Sequence, residues 1–259
     1  EDSNRMKSFS WRFIRVWQRN RDVFFRLWRS EIPVMVAEPI IILLAMGLGL
    51  GTYVGVVNGQ SYIEFVAPGV IAGYAMFSAS FECTYGSYFR MEHHYTFDAI
   101  LATPLNVEDI TAGEIFWGAT RSFITGCIIL VIAAVFQLVP SAWALLIPLV
   151  AGLSGVMFAS ISLFVTSIVP AIYTFNFFFT LFITPMFLLS GIFFPLTQFP
   201  EIVQRLSWIA PLTPVARLAR GLFQGEFHPD MLLSLGIIII WIAVFFSITL
   251  VTMRRRLTK

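Results

Sequence analysis

Three ionisable residues interrupt long apolar stretches of this chain: Glu38, Glu82 and Arg121. A charge in hydrocarbon is costly, so each needs a partner or a task. Glu82 lies near the inner end of one apolar stretch and Arg121 in the inner half of the next, so antiparallel neighbours can pair them at similar depth. A structural ion pair is favoured over a proton relay, because a relay needs titrating groups all the way across and the central stretches have none. Glu38, beside Pro39, is expected to reach the inner interface. Arg217 and Arg220, three apart, share a helical face that can attract a phosphate or can snorkel to lipid headgroups. The adjacent His93 and His94 point about 100° apart on a helix and lack a third ligand, so they read as solvated polar residues and no metal site is expected. Cys83 and Cys127 read as small hydrophobes.

Equally informative is the missing chemistry. The only lysines are Lys7 and Lys259, so no Gly-Lys pair exists to cradle phosphates in a P-loop. His-Glu-x-x-His and Gly-x-Ser-x-Gly are absent too, and no catalytic residue is assigned. Any ATP-driven work requires a separate ATPase.

The elements that position these residues are read from hydropathy. In 259 residues, 58% are hydrophobic and 12% charged, more apolar surface than a soluble fold of this size can hide. Of 17 Lys and Arg, 8 lie in the first 29 residues and 4 in the last 6, which marks membrane sidedness rather than nucleic-acid binding. Spans are expected at Ile32 to Tyr53, Phe65 to Phe89, Glu114 to Leu138, Trp143 to Val169, Tyr173 to Phe194 and Met231 to Met253. The first should direct insertion without a cleaved signal, and both termini should be cytoplasmic. Phe9 to Arg29 alternates Arg12, Arg15, Arg19, Arg26 and Arg29 with an apolar face, as an interfacial helix would. Gly47, Gly51 and Gly55 repeat every four residues, either as a close-approach face or as ordinary membrane glycines. Asn58-Gly59 should turn the chain outside, and Asn106 with Asp109 should cap the third span's helix.

Between the fifth and sixth spans, Pro195, Pro200, Pro211 and Pro214 forbid one continuous helix while the sequence stays apolar. Pro200 and Pro214 suit first helical turns, Thr213 can cap, and Gly225 can end the second helix.

The run Ser190-Gly191-Ile192-Phe193-Phe194-Pro195-Leu196, then Pro200, Pro211-Leu212-Thr213-Pro214, Arg220 and Gly225, closely resembles the signature of ABC-2 type transporter permeases. Ala67-Pro68-Gly69 and Leu101-Ala102-Thr103-Pro104-Leu105 are similar to further patterns of that family. The resemblance implies an all-α membrane protein: an amphipathic connecting helix over residues 1–30, then six transmembrane helices over 31–259. It implies a cytoplasmic coupling helix in the loop 90–113, and re-entrant outer helices in 195–230. In such proteins residues 92–103 dock on the ATPase, which makes Glu92, Phe97, Asp98, Ile100, Leu101, Thr103 and Pro104 the coupling candidates. The first and fifth helices border the route at a homodimer axis, so Phe175, Phe179, Phe182 and Phe193 become path candidates beside Arg217 and Arg220. Gly191, Phe194, Pro195, Pro200, Pro211 and Pro214 carry the structural motif. The implied partners are a second copy of the chain and two copies of an ABC ATP-binding subunit, where ATP and Mg would bind, with no cofactor in this chain.

Tyr62 to Leu105 and Ser190 to Gly225 look most like the nodulation branch, which exports a lipo-chitooligosaccharide from the bacterial inner membrane. A drug or polysaccharide exporter of the same family, an ion-coupled secondary transporter and a membrane-embedded transferase are the alternatives. The transferase needs a titratable cluster in one leaflet, for which the spans offer few groups.

Overall fold

The computed structural model describes residues 11–57 and 59–258; Lys7, Phe9, Asn58 and Lys259 lie outside them, and with Asn58 the turn expected there. Among the described residues six helices are long and apolar enough to cross a membrane. They are α1 (Phe13–Val54), α2 (Tyr62–His93), α4 (Val107–Val135), α5 (Ala142–Ile168), α6 (Ile172–Leu189) and α9 (Asp230–Leu257). Three shorter helices complete the set: α3 (Thr96–Leu101), α7 (Glu201–Ser207) and α8 (Leu212–Gln224). Among the described residues the only strand pairing is a two-residue hairpin, Val56–Val57 against Gln60–Ser61. This is an all-α, multi-pass membrane protein.

The helix starts follow local chemistry. At α2 the Glu64 carboxylate accepts from the Ser61 backbone N–H (3.0 Å), and at α4 that of Asp109 accepts from Asn106 N–H (3.1 Å). Each is a reciprocal cap that satisfies donors a helix would otherwise leave open. Gly225 ends α8 at φ 75°, as expected. The second cap expectation fails: Thr213 lies inside the first turn of α8, which starts after Pro211, and its hydroxyl is buried without a partner.

Two further expectations change. The amphipathic segment and the first span form one helix, because a change of composition from basic to apolar needs no backbone break and the ladder continues past Pro33 and Pro39. The basic half packs on α4 through Val16, Asn20 and Phe24, leaving Leu27 and Trp28 exposed. The fifth span ends at Leu189, five residues early, because Gly191 takes φ +77° and Ser190 to Phe194 leave the helix. The glycine repeat also splits. Gly47 and Gly51 face Ile63 and Tyr62, whereas Gly55 is a positive-φ helix end in open space.

The core is built from α2, α4 and α5; α9 packs on α5, α1 on α4, and α8 on α2 and α9. The α4 and α5 backbones approach closely at Gly155, where an added Cβ would sit 2.7 Å from the Ala119 Cα. In a membrane, such close contact supplies the packing energy that water does not. The fifth span α6 joins α2 by rings instead. Phe179 stacks on Phe81 at 4.3 Å, Phe175 meets Tyr85 and Tyr88 edge-on, and Phe187 meets Phe77 at 5.1 Å. Gly73 leaves the room that the Phe187 ring fills.

Gly155→Ala should force α4 and α5 apart and cost about 1–3 kcal/mol. Thermal unfolding in detergent should show a lower midpoint for this variant, and an unchanged midpoint would contradict the close approach.

Candidate functional site

Two stretches of α2 widen to reach the charged residues of the core. Glu82–Gly86 and Phe89–His93 are π-helical, and they carry Glu82 and Arg90 toward α4. Widening frees carbonyls, and hydroxyls recover some of them: Thr166 donates to the Cys83 carbonyl at 2.8 Å and Thr84 to that of Ser80 at 2.6 Å.

From there a chain of alternating charge crosses three helices. Glu114 on α4, wholly buried, pairs with Arg90 at 2.5 Å. Arg90 reaches Glu82 at 2.8 Å, Glu82 pairs with Arg121 at 2.9 Å, and Arg121 with Glu31 of α1 at 2.7 Å. Neutral donors fill the remaining acceptor sites: Asn20 Nδ2 (2.8 Å) and Ser87 Oγ (2.6 Å) to Glu114, and Trp117 Nε1 (3.0 Å) to Glu82. Each interior charge has two opposite neighbours, the arrangement that offsets the cost of taking ions out of water.

The pairing of Glu82 with Arg121 was legible in the sequence. Glu31, Asn20, Arg90 and Glu114 were not, although Glu82, Gly86 and Arg90 recur every four residues and Glu114, Trp117 and Arg121 recur at three and four, spacings that share one helix face.

The charge chain leads to the segment 92–105. Tyr95 adopts φ 48°, which turns the chain out of α2 into the six-residue α3. Phe97 is wholly buried and anchors α3; Ile100 and Leu101 are half-buried, while Asp98, Thr103 and Pro104 are exposed. Both ends of the segment are tied down. Arg12 donates to the Pro104 carbonyl at 2.8 Å. Glu92 pairs at 2.8 Å with Arg256, whose guanidinium also donates to the carbonyls of Thr166 (2.9 Å) and Val169 (2.6 Å) at the end of α5. His93 is exposed beside Phe89, 4.9 Å between ring centres, and His94 is exposed as well.

At the opposite end, the proline-spaced region folds into a short 3-10 turn at Leu196–Gln198, then α7 and α8. Pro195 and Pro200 immediately precede the 3-10 turn and α7, Pro211 precedes α8, and Pro214 lies in its first turn. Arg217 lies over the Trp208 ring at 3.4 Å. Arg220 turns inward, donating to the Gly191 carbonyl at 2.8 Å above the Phe65 ring. Burial and the nearby Arg217 charge push the Arg220 guanidinium down to about 10, so it stays charged at neutral pH. Both arginines still border one cleft, shared with Glu226, His228 and Asp230. Of the aromatic candidates, Phe175, Phe179 and Phe193 are packed among other rings, whereas Phe182 stacks on Phe178 and is partly exposed; Phe194 is exposed.

A helical bundle with six candidate spans, a buried ion chain at its basic end and a tethered short helix beside it defines a polytopic membrane protein. Residues 11–224 match the ABC-2 type transporter family, and the chain belongs to that family. It is 36% identical over 254 residues to nodulation protein J of Neorhizobium galegae, covering 95% of this chain and 94% of that protein. To nodulation protein J of Rhizobium leguminosarum bv. trifolii it is 37% identical over 255 residues, with 97% and 95% covered. The inner membrane transport permease YadH of Escherichia coli is similar at 23% identity over 236 residues, with 90% and 91% covered. The chain is thus a transport permease.

Arg90→Leu would strand the buried Glu114 carboxylate and leave Glu82 with Arg121 alone, and should cost about 3–5 kcal/mol. Adding Glu114→Leu should restore part of that loss in a double-mutant cycle read by thermal unfolding; strict additivity would show that the two side chains do not interact.

Proposed function

We propose that this chain is the membrane subunit of an ATP-driven exporter. In this reading it works as a homodimer with two copies of a separate ABC ATPase that binds ATP and Mg, in the bacterial inner membrane with both termini cytoplasmic. The cargo is an amphipathic lipo-oligosaccharide or related glycolipid. The observation that carries the reading is family membership together with the geometry of residues 92–104: a short helix anchored by Phe97, exposing Asp98, Thr103 and Pro104, and tied at both ends to other helices. A helix held this way passes a push on its outer face to α1, α5 and α9 rather than swinging freely. The basic residues at the two ends of the chain support the orientation by the positive-inside rule.

In the same reading α3 is the coupling helix, α7 and α8 are the re-entrant outer helices, and the basic half of α1 lies at the cytoplasmic interface. ATP closure of the partner subunits moves α3, and two permeases part at a bistable interface to pass the cargo outward. Full-length similarity to nodulation protein J supports a glycolipid cargo.

Asp98→Arg, at an exposed position, should lower copurification of the co-expressed ATPase at least tenfold while leaving thermal unfolding of the permease unchanged. Normal association in this variant would reject α3 as the docking element, and export from vesicles without ATP would favour an ion-coupled transporter.

A further inference from the structure

We propose that the cleft between α1, α2 and α4 binds the head of a membrane amphiphile bearing a protonated amine, with Glu38 as its counter-ion. The cleft measures about 460 Å³ and is walled by Glu31, Glu38, Glu82, Arg121, Tyr74 and Phe77 among others. That volume admits a headgroup and leaves the chains of a lipid outside.

Glu38 carries the argument. It is exposed on a membrane-spanning helix and faces Tyr74, which lies eight residues before Glu82 on α2. At 1.5 Å per residue this is about 12 Å deeper than the ion chain. Glu31 and Glu82 are matched by Arg121, and Glu82 again by Arg90, but among the described residues Glu38 has no ion-pair partner. Tyr74 answers it only as a neutral hydrogen-bond partner, so this intramembrane carboxylate can take a cation from outside the chain. An anionic head is disfavoured, because it would meet three carboxylates while both terminal nitrogens of Arg121 are already engaged. An ammonium meets a carboxylate that has no ion-pair partner among the described residues, with aromatic faces beside it, which attract it further.

The inference is independent of export, since retention of a lipid needs neither an ATPase nor transport. The full chain, reconstituted in nanodiscs containing equal phosphatidylethanolamine and phosphatidylglycerol, should retain phosphatidylethanolamine at least fivefold over phosphatidylglycerol by native mass spectrometry. Glu38→Gln should bring the ratio to near one, Glu38→Asp should keep part of the preference, and Glu64→Gln, in the α2 cap, should keep all of it. Loss of preference in Glu38→Gln alone, with helicity by circular dichroism unchanged, supports the site. No preference in the parent protein, or preference surviving in Glu38→Gln, overturns it. So does a shift of the monomer–dimer ratio in Glu38→Gln without a change in lipid, which would assign the carboxylate to a second copy of the chain.

Discussion

Hydrocarbon offers no water to complete a hydrogen bond or screen a charge, so every polar group placed within it must be answered by another group of the protein or by something bound. The chain Glu114, Arg90, Glu82, Arg121 and Glu31 follows from that constraint. Its members come from three helices, so the pairing also sets how α1, α2 and α4 are rotated against one another. The π-helical turns of α2 belong to the same solution, because they aim Glu82 and Arg90 into the chain while hydroxyls take up carbonyls that the wider turns release.

Where charge is absent, close packing takes over. Gly155 brings α4 against α5, and rings join α6 to α2 through Phe179 on Phe81 and Phe187 in the space beside Gly73. The ring-joined helix carries fewer backbone approaches than the glycine-joined pair, so α6 is fastened through side chains while α4 and α5 form the rigid centre. The two ends of the bundle are finished differently. At the basic end arginines bind carbonyls and carboxylates around α3; at the other end Arg220 binds the Gly191 carbonyl and ties α8 to the turn that follows α6.

These ties join family membership to a mechanical reading. A segment held by Arg12 at one end and by Arg256 through Glu92 at the other is connected to the first and last long helices of the described chain at once. A load on α3 is therefore shared across the bundle, which is the property that the proposed coupling role requires.

Much of this was already legible in local sequence. Hydropathy determined six spans, Asn106 with Asp109 determined a helix start, Gly225 a helix end, and the prolines after Phe194 excluded one more straight helix; each depends on residues a turn or two apart. Glu82 with Arg121 was within reach because antiparallel neighbours can be compared for depth. Tertiary structure alone decided that Arg90 and Glu114 join them, that Phe175 turns toward α2, that Arg220 points inward, and that the basic segment and first span are one helix. The reason is geometric: sequence periodicity states which residues share a helix face, whereas the rotation that brings two faces together depends on packing between residues far apart in the chain.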